Sequence, residues 1–186
     1  MRRRRKGLFL LVPVLVAVGL ALAGRSPASG DIPALPGEAK TGRADRRIDD
    51  AGAVQVVDGD TLRIGATRIR LHGIDAPERA QSCTGANGRR YACGRQATEA
   101  LSRLIGDDRP VCTERDRDRY GRSVAVCSIG GRDLNKAMVA EGWAVAYTRY
   151  ARDYEGDEAA ARRARRGVWQ GSFERPDVYR AERRRG

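Results

Sequence analysis

Polar and apolar positions alternate most regularly between residues 54 and 75. Val54 to Val57 is a β-branched run. Thr61 to Ile64 sets Leu62 and Ile64 against Thr61 and Arg63, and Arg68-Ile69-Arg70-Leu71 repeats the pattern. A period of two over short runs predicts half-buried strands. Asp58-Gly59-Asp60 and Gly65-Ala66 supply turns between them, so the segment reads as a three-stranded antiparallel meander. Its last strand continues into His72-Gly73-Ile74-Asp75 and stops at Pro77, which has no N–H to give to a ladder. Two further strands, Pro110 to Glu114 and Ser123 to Ile129, flank Arg115 to Arg122.

Helical periodicity takes over elsewhere. Arg95 to Ile105 carries an apolar stripe of Ala97, Leu101, Leu104 and Ile105, and Gly106 is a natural stop. Asp133 is an N-cap for Leu134 to Glu141, which Gly142 ends. Tyr154 to Arg166 is a third helix, ending at Gly167; its cluster of arginines reads as a solvated face. Five strands and three helices make an α+β, mainly β, chain. Trp143 and Trp169, each close behind a helix-ending glycine, read as core plugs rather than stacking platforms.

The ends follow other rules. Arg2 to Lys6 is basic, Gly7 to Ala23 is apolar apart from Pro13, and Ala21-Leu22-Ala23 fits a small-x-small cleavage pattern. Residues 1–23 therefore read as a signal peptide or a membrane anchor; the apolar run of 7–23 is short for a spanning helix, which needs roughly 20 residues. Residues 24–46, rich in Gly, Pro, Ala and Ser, read as a flexible linker, 47–171 as the folded domain, and 172–186 as a polar, basic, loosely ordered tail. Export to the periplasm or beyond, with or without a tether, is the expected location.

A net charge of +12 draws the protein to polyanions, nucleic acid before anionic membrane. The four cysteines, Cys83, Cys93, Cys112 and Cys127, include no CxxC pair, which argues against a zinc ribbon, and their even number suits disulfides in an exported protein. Cys112 and Cys127 lie symmetrically about Arg119–Tyr120. In an antiparallel hairpin they face each other, with α-carbons about 4.5 Å apart in a non-hydrogen-bonded pair, near the short limit of disulfide geometry. Of three pairings, Cys112–Cys127 with Cys83–Cys93 is favoured.

The meander concentrates Asp58, Asp60, Asp75 and Glu78 with Arg70. Hard divalent cations take oxygen ligands, and Asp60 and Asp75, from different strands, are suited to share one; Asp58 is placed to support it through water. Glu78 is placed to accept a proton from an attacking water. Arg70 and Arg122 are suited to fork onto phosphate oxygens. His72, the single histidine, reads as structural. One obstacle stands: strict alternation puts Arg70 and Asp75 on opposite faces of a strand. Their convergence requires a bend or bulge, which Gly73 permits.

Taken together, VVDGDT, IRLHGIDAPE, DRYGR, DLNKAMVAEGWA and GVW, in this order between Val54 and Trp169, resemble the staphylococcal (micrococcal) nuclease family, the thermonucleases. The resemblance implies a five-stranded OB-fold barrel with three helices, and calcium-dependent hydrolysis of DNA and RNA that leaves 3′-phosphates. It also implies roles: Asp60, Asp75 and the backbone carbonyl of Ala76 (where the family often has threonine) for calcium; Arg70, Glu78 and Arg122 for catalysis; Tyr120 for a substrate phosphate. Tyr147 and Tyr150 are candidates for base stacking. Cys83 and Cys93 depart from the prototype. A monomer without an obligatory protein partner is expected. Two other readings compete. One is a non-catalytic OB module that binds nucleic acid or protein. The other is a membrane-surface protein.

Overall fold

The computed structural model describes residues 45–185. The expected leader, and the linker up to residue 44, lie outside the described residues. Along the described chain come β1 (Arg46–Arg47), β2 (Val54–Asp58), β3 (Thr61–Ile64), β4 (Thr67–Leu71), β5 (Ile74–Asp75), β6 (Cys83–Thr84) and β7 (Arg90–Tyr91). Then follow α1 (Cys93–Ile105), β8 (Val111–Arg117), β9 (Ser123–Ile129), β10 (Arg132–Asp133), α2 (Leu134–Ala140), β11 (Val145–Ala146), α3 (Glu155–Arg163), a 3-10 turn (Gly167–Gln170) and α4 (Pro176–Arg183). Among the described residues, no helix is long and apolar enough to cross a membrane.

The main sheet runs β1-β8-β9-β4-β3-β2, with β10 added to β9. Strands β2, β3 and β4 form the expected meander, with Val56 opposite Leu62 and Leu62 opposite Ile69. Strand β4 then pairs in parallel with β9, Arg70 lying opposite Val124. A parallel step needs a long crossover, here the chain from β5 through α1 and β8. The architecture is α+β, mainly sheet, with five long strands in OB-like order. It differs from the expected barrel in two respects. The hydrogen-bonded path is open, because β8 gives its second edge to β1 instead of β2. There are also four α-helices among the described residues, not three.

The strands' inward positions build the core. Leu62, Ile64, Ile69 and Leu71 are buried against Ala97, Ala100, Leu101 and Ile105 of α1 and against Leu134, Met138 and Val139 of α2. Leu104 of the predicted stripe is only partly buried. Helix α1 starts at Cys93, two residues early, and this residue is bonded to Cys83. Asp133 caps α2, its side chain accepting from the Lys136 N–H at 3.0 Å. Helix α3 ends before the expected Arg166, because Arg165 takes φ 50° and breaks the turn.

Both disulfides have the favoured pairing. Cys112 faces Cys127 across β8–β9, with α-carbons 4.1 Å apart. Cys83–Cys93 closes the β6–β7 hairpin. Around this second staple a satellite core gathers Val168, Trp143, Trp169 and Phe173, so the tryptophans do act as plugs. The Trp169 and Phe173 rings meet edge to face at 4.9 Å. This contact carries the chain into α4, where a loose tail was expected; Pro176 stands in its first turn, where the missing N–H costs nothing.

Candidate active site

The site grows from the turn between β2 and β3. Asp58 Oδ1 accepts from the Asp60 N–H at 3.0 Å, a local bond that shapes the turn. Asp58 thus serves the backbone. The turn drives Asp60 inward, to 2% exposure. There Oδ1 accepts from Thr61 Oγ1 at 3.1 Å and Oδ2 from the Ala76 N–H at 2.7 Å. Burial pushes the Asp60 carboxyl up to about 6, against the pull of the Arg70 charge.

Arg70 and Asp75 do converge. Strand β4 ends at Leu71, and Gly73 turns the chain at φ 71° before β5 begins. A side chain at Gly73 would meet the Tyr154 ring at 3.1 Å, so both the turn and the packing require glycine. The reversal brings Asp75 back beneath Arg70. Arg70 Nη1 donates to Asp60 Oδ1 at 2.7 Å and Nη2 to Asp75 Oδ1 at 2.5 Å. Burial opposes the Arg70 charge, but Asp60 and Asp75 outweigh it and hold the guanidinium above its ordinary range. Burial likewise raises Asp75, whose side chain is 0% exposed.

Glu78 completes the acidic face. Its backbone is fixed by Gln81, which is buried: Glu78 N–H donates to Gln81 Oε1 at 3.2 Å, and Gln81 N–H to the Glu78 carbonyl at 2.7 Å. The Glu78 carboxylate meets a residue that sequence reasoning missed. Arg180 of α4 donates from Nη1 to Glu78 Oε1 and Asp75 Oδ1, and from Nη2 to Asp75 Oδ2, each at 2.9 Å. Burial disfavours its charge, but the bonds to Asp75 and Glu78 hold the guanidinium well above its usual range. Three carboxylates are therefore knit together by two arginines.

The other expected residues divide. Arg122 makes no contact with this cluster; its Nε donates to Asp118 Oδ2 at 2.6 Å in the β8–β9 turn. Tyr120 is 66% exposed beside it, with the Arg122 guanidinium 5.7 Å from the ring. These two line an open groove with Arg68 and Arg117. Register still links them to Arg70: Val124 pairs with Arg70, and Arg122, two residues earlier, shares the Val124 face. Tyr147 follows β11, whose Val145 pairs with Asp75. Burial, then the Asp75 charge, raises its hydroxyl. Its ring lies 5.0 Å from that of Tyr150, which is exposed. His72 keeps a peripheral place, its imidazole 3.7 Å from Asp153.

This geometry agrees with what the chain is similar to. Residues 68–171 match the family model described as staphylococcal nuclease homologue.

The chain belongs to the staphylococcal nuclease homologue family.

Similarity to individual proteins points the same way. It is 40% identical over 96 residues to the succinoglycan biosynthesis protein ExoI of Rhizobium meliloti, covering 50% of each chain. It is 35% identical over 123 residues to an uncharacterized endonuclease of Escherichia coli O157:H7, covering 62% of this chain and 74% of the other. It is 34% identical over 133 residues to the micrococcal nuclease of Shigella flexneri, covering 62% and 71%. The match to the first of these spans half of that protein's length. Nuclease chemistry is supported at the level of the family. The family-matched segment ends at 171, so α4 and Arg180 lie beyond it.

Proposed function

We propose that this protein is an exported, calcium-dependent phosphodiesterase that hydrolyses DNA and RNA by attack of water on phosphorus, leaving 3′-phosphates. One observation carries the reading: Arg70 bridges the buried Asp60 and Asp75 while Glu78 stands in the same cluster. The two disulfides support an oxidising compartment, and the protein acts as a monomer.

The residues fit a calcium ion. The donors are carboxylate oxygens of Asp60 and Asp75, joined by the Ala76 carbonyl, all hard ligands of the kind calcium takes. Water would complete the shell. The Arg180 guanidinium, against both oxygens of Asp75, stands in for a cation there. When bound, calcium would offset the charge gathering on the phosphorus oxygens.

The remaining work falls to the chain's own groups. Glu78 accepts a proton from the attacking water; its side chain is 35% exposed, open to solvent yet anchored by Gln81. Arg70 and Arg122 fork onto phosphate oxygens, and their charge stabilises the transition state. Arg122 leaves Asp118 to do so. Tyr120 contacts a neighbouring phosphate, and Tyr147 offers a ring to a base.

The test is cleavage of single- and double-stranded DNA and RNA by the purified protein, with calcium and with a chelator. Cleavage only with calcium, and products that a polymerase extends only after phosphatase treatment, is the expected result. Tight binding without cleavage in calcium would replace the reading with a non-catalytic OB module.

A further inference from the structure

Arg180 has no task in the cleavage chemistry. Yet one side chain engages both oxygens of Asp75 and one oxygen of Glu78. It thus occupies a cation ligand and the proton acceptor together.

The approach to this contact is built into the fold. Thr84 of the disulfide-closed hairpin exchanges both backbone hydrogen bonds with Ser172, at 2.9 and 3.0 Å. Gln81 Nε2 donates to the Glu174 carbonyl at 2.7 Å, while its Oε1 holds the Glu78 N–H. The loop that presents Glu78 and the segment that leads into α4 are therefore tied to each other. The helix itself is lightly seated: Pro176 is its buried residue, and Val178 is 44% exposed. What docks α4 is charge: Arg180, with its side chain 28% exposed, at the site, and the N-cap Arg175, which donates to the Ala146 carbonyl at 3.3 Å and lies 3.5 Å from Glu158. A contact made of charge, with little apolar packing behind it, is one that a competing charge can displace.

Resting on the calcium-dependent reading above, we propose that α4 is an intramolecular cap, and that Arg180 competes with calcium for Asp75. Calcium needs carboxylate lone pairs at about 2.3–2.6 Å. Those lone pairs are taken by a bidentate arginine fork, among the stronger charge-assisted arrangements. A guanidinium and a divalent ion on one carboxylate also repel. Calcium binding would therefore release Arg180 and free Glu78 from its hydrogen bond. The cap sets the calcium concentration at which cleavage begins.

The test is calorimetric titration of calcium chloride into the full chain, and into full-chain Arg180→Ala, Arg180→Lys and Arg183→Ala. Arg180→Ala should bind calcium about tenfold more tightly or better, because one positive charge has left the site. Arg180→Lys keeps a charge without the fork, guards against a folding failure, and should fall between. Arg183, exposed on the same helix, should leave the dissociation constant unchanged. The calcium concentration for half-maximal cleavage should fall in step for Arg180→Ala. Equal dissociation constants for the parent and both Arg180 variants overturn the cap and leave the calcium reading standing. No binding to any of the proteins overturns both. A loss of about a hundredfold in turnover at saturating calcium would also overturn the cap, placing Arg180 among the groups that stabilise the transition state.

Discussion

Replacing Arg70 with alanine removes the guanidinium that joins Asp60 to Asp75. Both carboxylates are buried, with side chains 3% and 0% exposed, and Arg70 itself is 16% exposed. Breaking a buried pair from one side costs about 3–5 kcal/mol, since the partner charge stays behind without compensation. Here two things soften the loss. Asp60 keeps its bonds from Thr61 and the Ala76 N–H, and Asp75 keeps Arg180. The low end, about 3 kcal/mol, is therefore expected. At roughly 2–4 °C per kcal/mol for a domain of this size, the melting temperature in a chelator should drop by about 10 °C. Scanning calorimetry of parent and Arg70→Ala, each with chelator and with calcium, measures it. Calcium should recover much of the deficit, because an ion on Asp60 and Asp75 restores the missing positive charge and stabilises the form that binds it. A melting temperature in chelator within about 2 °C of the parent would refute the buried bridge. A deficit that calcium leaves untouched would refute the shared cation site.

Three further outcomes can be checked. Glu78→Gln and Arg122→Ala should each lower turnover by about 10² or more, in steady-state cleavage at saturating calcium, while leaving the melting temperature near that of the parent. Replacing both cysteines of either pair, Cys83 and Cys93 or Cys112 and Cys127, by serine should cost about 3 kcal/mol in denaturant titrations, given sequence separations of 10 and 15. A cost near zero for either pair would show that the bridge constrains nothing. The third concerns acid. Burial raises the Glu114 carboxyl, but hydrogen bonds from Ser123, Arg117 and Arg46 outweigh it and hold it below its ordinary 4.5. The stability it adds is complete above that value and is lost as the pH falls through the folded-state value. Glu114→Gln should thus flatten the acid limb of the stability curve and leave the protein weaker at neutral pH.

The parts of the fold that rest on local pattern were legible. Period-two alternation located β3 and β4, and a β-branched run located β2, whose partly buried Val54 and Val56 pack against the core. Hairpin symmetry paired Cys112 with Cys127, and the β8–β9 register does set them opposite each other, with a one-residue bulge at Arg115 between them and the turn. The meeting of Arg70 and Asp75 was reachable as far as Gly73, the residue that allows a reversal. Other features were hidden for a common reason: their stabilising partners are remote in sequence. β1 is two arginines, and only its pairing with Glu114 and Thr113 makes it a strand. Helix α4 was hidden because it docks through guanidinium groups, Arg180 and the N-cap Arg175, in a chain with 36 basic residues. A weak signal was present. Pro176 and Asp177 open a run that closes on Arg180 and Arg183, the order a helix dipole favours.

The two staples have different consequences for the site. Cys112–Cys127 joins β8 to β9, strands that their backbone pairing already holds to each other and to β4. Cys83–Cys93 fixes the hairpin that follows Glu78 and meets Ser172. Gly94, at the foot of this staple, lies so close that a Cβ there would sit 1.8 Å from the Glu78 carbonyl oxygen. Loss of the second bridge should therefore act on the base and on the cap together, while loss of the first should act on stability alone. That asymmetry separates a staple that merely shortens the unfolded chain from one that holds a carboxylate in place. In the Cys83→Ser, Cys93→Ser protein, a fall in turnover together with tighter calcium binding would follow from a loosened Glu78 and a released Arg180. Unchanged values of both, at a temperature where the protein stays folded, would mean that Gln81 alone positions this side of the cluster.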